Sequence, residues 1–141
     1  MATDVERMIE DYVAAWSSGD VEKIASFLTD DCVFENVGGG TVYRGHEELE
    51  AFARDTFASI PDFKIEVKSL FVAGDWVGAE WIQSGTYTGE LVGIEVIGKN
   101  FSGRGASIIE LHKGKIRREA IYWDALSFLR QLGVMPEASS G

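Results

Sequence analysis

The chain has one cysteine, two histidines, few basic residues and no long apolar run, and each shortage closes off a class of function. Cys32 stands alone, so no intrachain disulfide can form, and a reducing, cytoplasmic setting is expected. Neither histidine has an evident reason to lie beside Cys32, which makes it a poor nucleophile. His46 opens a helical segment and His112 borders a turn; both read as solvated. Two isolated imidazoles fall short of the three or four convergent ligands a metal needs, so no metal site is expected. No segment approaches the roughly 18 uncharged apolar residues of a membrane span. The opening MATDVERMIEDY carries acids where a signal peptide needs bases and then an apolar stretch. With 13 Lys and Arg against 23 Asp and Glu, the net charge of -10 repels nucleic acid and anionic membranes.

What is present is a foldable supply of apolar surface. At 141 residues and 45% hydrophobic content, the chain reads as one domain over 1–134, with a polar tail at 135–141. Thr3-Asp4-Val5-Glu6 has the form of a capping box, and Val5, Met8, Ile9, Tyr12, Val13 and Trp16 follow at helical spacing. Ser17-Ser18-Gly19 stops that helix. Asp20 caps a second one that buries Val21, Ile24, Phe27 and Leu28. A short strand over 31–37 leads to Gly38-Gly39-Gly40, read as a turn or flexible loop at a cavity mouth. A third helix over 45–60 ends before Pro61. From Phe63 the pattern becomes β, with runs at 63–73, 76–88, 92–103, 104–112 and 115–123, then a short helix over 125–132. The expectation is an α+β fold, a curved mixed or antiparallel sheet around a cavity closed by three N-terminal helices.

Lys113-Gly114 predicts a two-residue hairpin, which sets a register. If His112 opposes Lys115, one face carries Leu111/Ile116, Ile109/Arg118, Ser107/Ala120 and Gly105/Tyr122, with Gly103 opposite Asp124. The other face carries Glu110/Arg117, Ile108/Glu119 and Ala106/Ile121, with Glu110/Arg117 as an exposed ion pair and Arg104 at the surface. On this register Asp124 points inward with Tyr122, across from two glycines that leave space. An acid facing an apolar pocket gains proton affinity and can move protons. An Asp directly before a helix is equally a common N-cap. Trp81, Gln83 and Tyr87 share a strand face by period-2 alternation. With Tyr12, Trp16, Asn36 and Ser107 they form a candidate binding surface for a flat, apolar molecule; ordinary core packing is the alternative for the aromatics.

The motifs YVAAWSSGDVEKIASFLTDDCVFEN, YRGHEELEAF, IPDFKIEV, GTYTGEL after EWIQS, and GKIRREAIYWDALSFLRQLG occur in an order and spacing that resembles the SnoaL-like polyketide cyclase branch of the NTF2-like superfamily. The resemblance implies a cone-shaped α+β fold and an intramolecular aldol ring closure without metal or cofactor. It makes Asp124, in the YWD position, the general acid/base. Tyr87 stands where some cyclases carry a histidine. Ketosteroid-isomerase-like members carry a catalytic Asp where this chain has Asn36, and epoxide-hydrolase-like members an Arg and an Asp where it has Trp81 and Gln83, which disfavours both chemistries. Asn36, Gln83, Tyr87 and Tyr122 are then expected to position a carbonyl substrate. A homodimer through the outer sheet face is also implied. A carrier of a small apolar ligand, or an interaction module with a vestigial pocket, are the competing readings.

Overall fold

The computed structural model describes residues 2–136; the remainder of the expected polar tail, 137–141, lies outside the described residues. Helix α1 (Asp4–Ser18) starts at Thr3, whose hydroxyl accepts the Glu6 N–H at 3.1 Å. It stops at Gly19, which adopts the left-handed conformation (φ 71°) that an L side chain resists. Asp20 then caps α2 (Val21–Ser26) through the Lys23 N–H. Strands β1 (Leu28–Asn36) and β2 (Thr41–Arg44) precede α3 (Gly45–Ser59). Strands β3 (Lys64–Ala73), β4 (Trp76–Leu91), β5 (Ile94–His112) and β6 (Lys115–Trp123) follow, then α4 (Ala125–Gln131).

The six strands form one sheet in the order β2-β1-β6-β5-β4-β3. The long segments from β3 to β6 make the antiparallel meander expected of them. The N-terminal strand is not peripheral to it: β1 pairs in parallel with β6, in the middle of the sheet, and β2, which the alternation did not reveal, covers its other edge. The runs at 92–103 and 104–112 are one continuous strand, because Gly103 and Gly105 are extended and paired with β4. Register shifts in four of the five strand pairings bend the sheet, as bulges do. Its concave face closes over α1, α2 and α3. Ser17 fastens α1 to the edge strand β3, bonding both the N–H and the carbonyl of Ile65. Ile9, Ile24, Leu28, Cys32, Leu49 and Ile116 make a solid core at one end of the cone. Among the described residues no helix is long and apolar enough to cross a membrane.

Candidate functional site

At the other end of the cone the packing opens into a cavity of about 340 Å³, within the usual range for small-molecule sites. Its walls are mostly aromatic. Phe34, Phe52, Phe57 and Phe63 surround Trp16 with ring centroids 5.8 to 6.4 Å away. Tyr87, Phe101 and Trp123 meet Phe128 of α4 edge-on at 4.9 to 6.0 Å. All of these except Phe57 line the cavity, together with Asn36, Gln83, Ser107 and Glu119.

The Lys113-Gly114 hairpin forms as expected, with φ 52° and 78° at its two residues, the left-handed pair that a twisted two-residue hairpin requires. His112 opposes Lys115 and Leu111 opposes Ile116, and there the anticipated register ends. Arg117 is an extra residue, so Glu110 opposes Arg118, Ile109 opposes Glu119, Ser107 opposes Ile121 and Gly105 opposes Trp123. A one-residue slip exchanges the two faces of a strand. Glu119, Ile121 and Trp123 therefore point into the cone, while Arg118, Tyr122 and Asp124 do not. Arg117 still reaches Glu110 at 3.0 Å, and Arg118 pairs with Glu35 on the outer face at 3.2 Å. The physical preference is clear: an inward Arg118 would be a buried unpaired cation, which the bulge avoids.

Two expected site residues are thereby misplaced. Asp124 is solvent-exposed and absent from the cavity lining; its carboxylate accepts the Ser127 N–H at 2.9 Å and caps α4. Tyr122 is 46% exposed on the outer face. Tyr12 is a third correction, because it lies 2% exposed in the core behind the cavity wall and is not part of the lining. Trp16, Asn36, Trp81, Gln83, Tyr87 and Ser107 do border the cavity. His46, expected in solvent, is half-buried with Nε2 3.1 Å from the Leu28 carbonyl.

Two acids border the cavity: Asp55, which is exposed, and Glu119, which is only 6% exposed. The Tyr12 hydroxyl donates to the Glu119 Oε1 at 2.6 Å, and the Ser107 hydroxyl also favours its charged form. Ser107 in turn accepts the Trp81 indole N–H at 2.9 Å. Burial raises the Glu119 carboxyl above its ordinary value, and the Tyr12 and Ser107 hydroxyls, which favour the charged form, offset this only in part. Burial and the neighbouring carboxylate together hold the Tyr12 phenol well above its ordinary value, so it remains a donor. Alternation counted backward from Trp123 and Ile121 puts Glu119 on the apolar face; counting forward from the turn crosses the bulge and loses it.

Asn36 sits one inward position along β1 from Phe34, the residue opposite Glu119. Its Oδ1 accepts the Gly39 N–H at 2.8 Å and the Trp123 indole N–H at 2.7 Å. The Gly38–Gly40 segment is thus a turn held by hydrogen bonds, not a loose flap. Gln83 borders the cavity with no hydrogen-bond partner for its side chain among the described residues. Such a site can take a flat apolar molecule, hold its oxygens by amides and exchange a proton with a buried acid.

Comparison with known proteins agrees with this architecture. The sequence profile of the SnoaL-like polyketide cyclases matches residues 6–132. The aklanonic acid methyl ester cyclase DnrD of Streptomyces peucetius is 29% identical over 94% of this chain and 92% of its own length. The aklanonic acid methyl ester cyclase AcmA of Streptomyces galilaeus is 27% identical over 92% of this chain and 88% of its own. A Catenulispora acidiphila protein with a ketosteroid-isomerase-like fold superposes with a TM-score of 0.80 over 94% of this chain and 96% of that one; at 19% identity, this is a likeness of fold. The mixed α+β cone and the match over nearly the whole chain place the protein in the SnoaL-like polyketide cyclase family.

Proposed function

We propose that this chain is a cofactor-independent cyclase that closes a ring in a polyketide-type carbonyl compound, with Glu119 as general acid/base. The Glu119 carboxylate removes a proton from the carbon beside a carbonyl. The C–H electron pair forms an enolate, whose carbon attacks a second carbonyl of the same molecule. Glu119, now a carboxylic acid, returns the proton to the new alkoxide. One C–C bond forms, no atom is lost, and the product is an isomer of the substrate. The observation that carries this reading is a buried carboxyl, raised by desolvation, on the wall of an aromatic cavity.

The test is incubation with aklanonic acid methyl ester, the compound in the names of the two relatives, with ring closure followed by chromatography. Turnover by the wild type and its loss in Glu119→Gln support the proposal; full turnover by that variant sinks it. The aromatic lining also suits a carrier of a small apolar ligand. In that case wild type and Glu119→Gln bind alike and neither produces a cyclised compound.

A homodimer through the outer sheet face belongs to the same reading. Phe71, Gly78, Ile108 and Ala120 fall in one row across β3, β4, β5 and β6, and Phe71 and Ile108 are exposed. An apolar row across an open sheet face is the kind of surface a second copy covers. Light scattering that returned a monomer mass would remove the dimer from the proposal.

A further inference from the structure

We infer that Asn36 is a fixed hydrogen-bond donor to the substrate's enolate oxygen, held in that role by Trp123 and the Gly38-Gly39 turn. The inference rests on the proton-transfer reading above and adds the group that receives the negative charge.

An amide side chain is ordinarily ambiguous, because its oxygen and nitrogen can exchange places. Here chemistry removes the ambiguity. An indole N–H and a backbone N–H can only donate, so the atom facing Trp123 and Gly39 must be the amide oxygen. Both lone pairs of Oδ1 are then occupied, and the Nδ2 group is left with no acceptor among the described residues. Among the described residues no fully buried side-chain nitrogen or oxygen lacks a partner, so Nδ2 must touch open space. Asn36 is 8% exposed and borders the cavity, the open space assigned to Nδ2 in this proposal.

The turn is built for this purpose. A Cβ on Gly38 would lie 2.6 Å from Trp123 Nε1, and one on Gly39 would lie 2.9 Å from Asn36 Nδ2. Only glycine lets the indole and the amide come this close. Gly40 N–H closes the turn on the Asn36 carbonyl at 2.8 Å. The three glycines thus secure the direction of one amide.

Position completes the case. Asn36 opposes Ile121 and Phe34 opposes Glu119 on adjacent parallel strands, so amide and acid stand on neighbouring inward rows. A carbonyl compound laid across them presents its α-hydrogen to Glu119 and its oxygen to Asn36. When the proton leaves, the carbonyl π pair moves onto oxygen and the bond from Nδ2 strengthens, while no proton leaves the amide. A donor set in place before the charge develops needs no reorganisation at that moment.

The test uses 2-acetonaphthone, a flat aryl ketone, and its carbonyl stretch when bound. Wild type and Glu119→Gln are expected to lower that frequency below its value in hexane. Asn36→Leu removes the donor and should restore the hexane value; Asn36→Asp, measured at a pH where its carboxyl is ionised, keeps the shape and both accepted bonds without a donor and should do the same. A frequency unchanged between wild type and Asn36→Asp, or a shift lost only in Gln83→Leu, overturns the assignment. This readout needs no turnover, so it stands apart from any failure of the cyclase reading. With a turned-over substrate, Asn36→Asp should lower kcat by about 10²- to 10³-fold with a smaller change in KM, and Trp123→Phe should lower it less. Wild-type kcat in Asn36→Asp would again overturn it.

Discussion

The Tyr12 hydroxyl donates to Glu119 Oε1 at 2.6 Å, so the first helix steadies the carboxyl of the last strand. That bond favours the charged acid against the burial that opposes it. Tyr12→Phe removes the donor and keeps the ring. Glu119 should then hold its proton to higher pH, and the acidic limb of the pH–rate profile should move upward. The lost bond should cost about 1 kcal/mol in denaturant unfolding.

Glu119→Gln keeps the size of the side chain and an oxygen for the Tyr12 hydroxyl. Turnover should fall about 10²- to 10⁴-fold, the range for a general acid/base. Affinity for a flat ligand, measured by quenching of tryptophan fluorescence, should stay near the wild-type value.

The same variant reports on stability. Glu119 is raised in the folded protein above its ordinary 4.5. Below that pH both the folded and the unfolded chain carry the proton, and Glu119 imposes no penalty. As pH rises the unfolded chain ionises first, so stability is lost until the folded pKa is passed. Urea midpoints of wild type and Glu119→Gln should agree near pH 4 and separate towards neutrality, with the variant the more stable. A gap that is constant with pH would contradict the raised carboxyl.

Asp124 caps α4 through the Ser127 N–H. Asp124→Ala should cost about 0.5–2 kcal/mol, as lost N-caps do. Because α4 carries Phe128 into the cavity wall, KM should rise while kcat is retained. Loss of kcat with intact folding would return Asp124 to the chemistry.

Gly105 lies beneath the Trp81 ring, and a Cβ there would come within 2.3 Å of it. Gly105→Ala must push the indole away and break its bond to Ser107. Overpacking of this kind costs about 1–3 kcal/mol. The thermal midpoint should fall, and the bound-ligand spectrum should change with it.

Local physics made much of this molecule legible. Thr3 and Asp20 announce helix starts by their side chains, and Lys113-Gly114 announces a hairpin by its tolerance of positive φ. Trp81, Gln83 and Tyr87 were placed together by simple alternation, and all three border the cavity. What could not be read is non-local. The parallel pairing of β1 with β6 joins segments far apart in sequence, and neither carries a mark of its partner. The alternation of Glu119, Ile121 and Trp123 signals a slip but does not single out Arg117 as the extra residue, because the cost of burying Arg118 appears only once the core is assembled. That one residue moved the inward acid from Asp124 to Glu119.

The parallel pairing of β1 and β6 also has a temporal side. During synthesis β1 emerges early and must wait, with one edge unpaired, until β6 follows. Strand β6 is the seam that joins β2-β1 to β5-β4-β3, and it brings Glu119 with it. A chain interrupted before Lys115 would hold two unjoined pieces of sheet with open edges, a state prone to pairing with other chains. Slow, long-range closure is the expected folding bottleneck, and the step that seals the sheet is the one that delivers the acid.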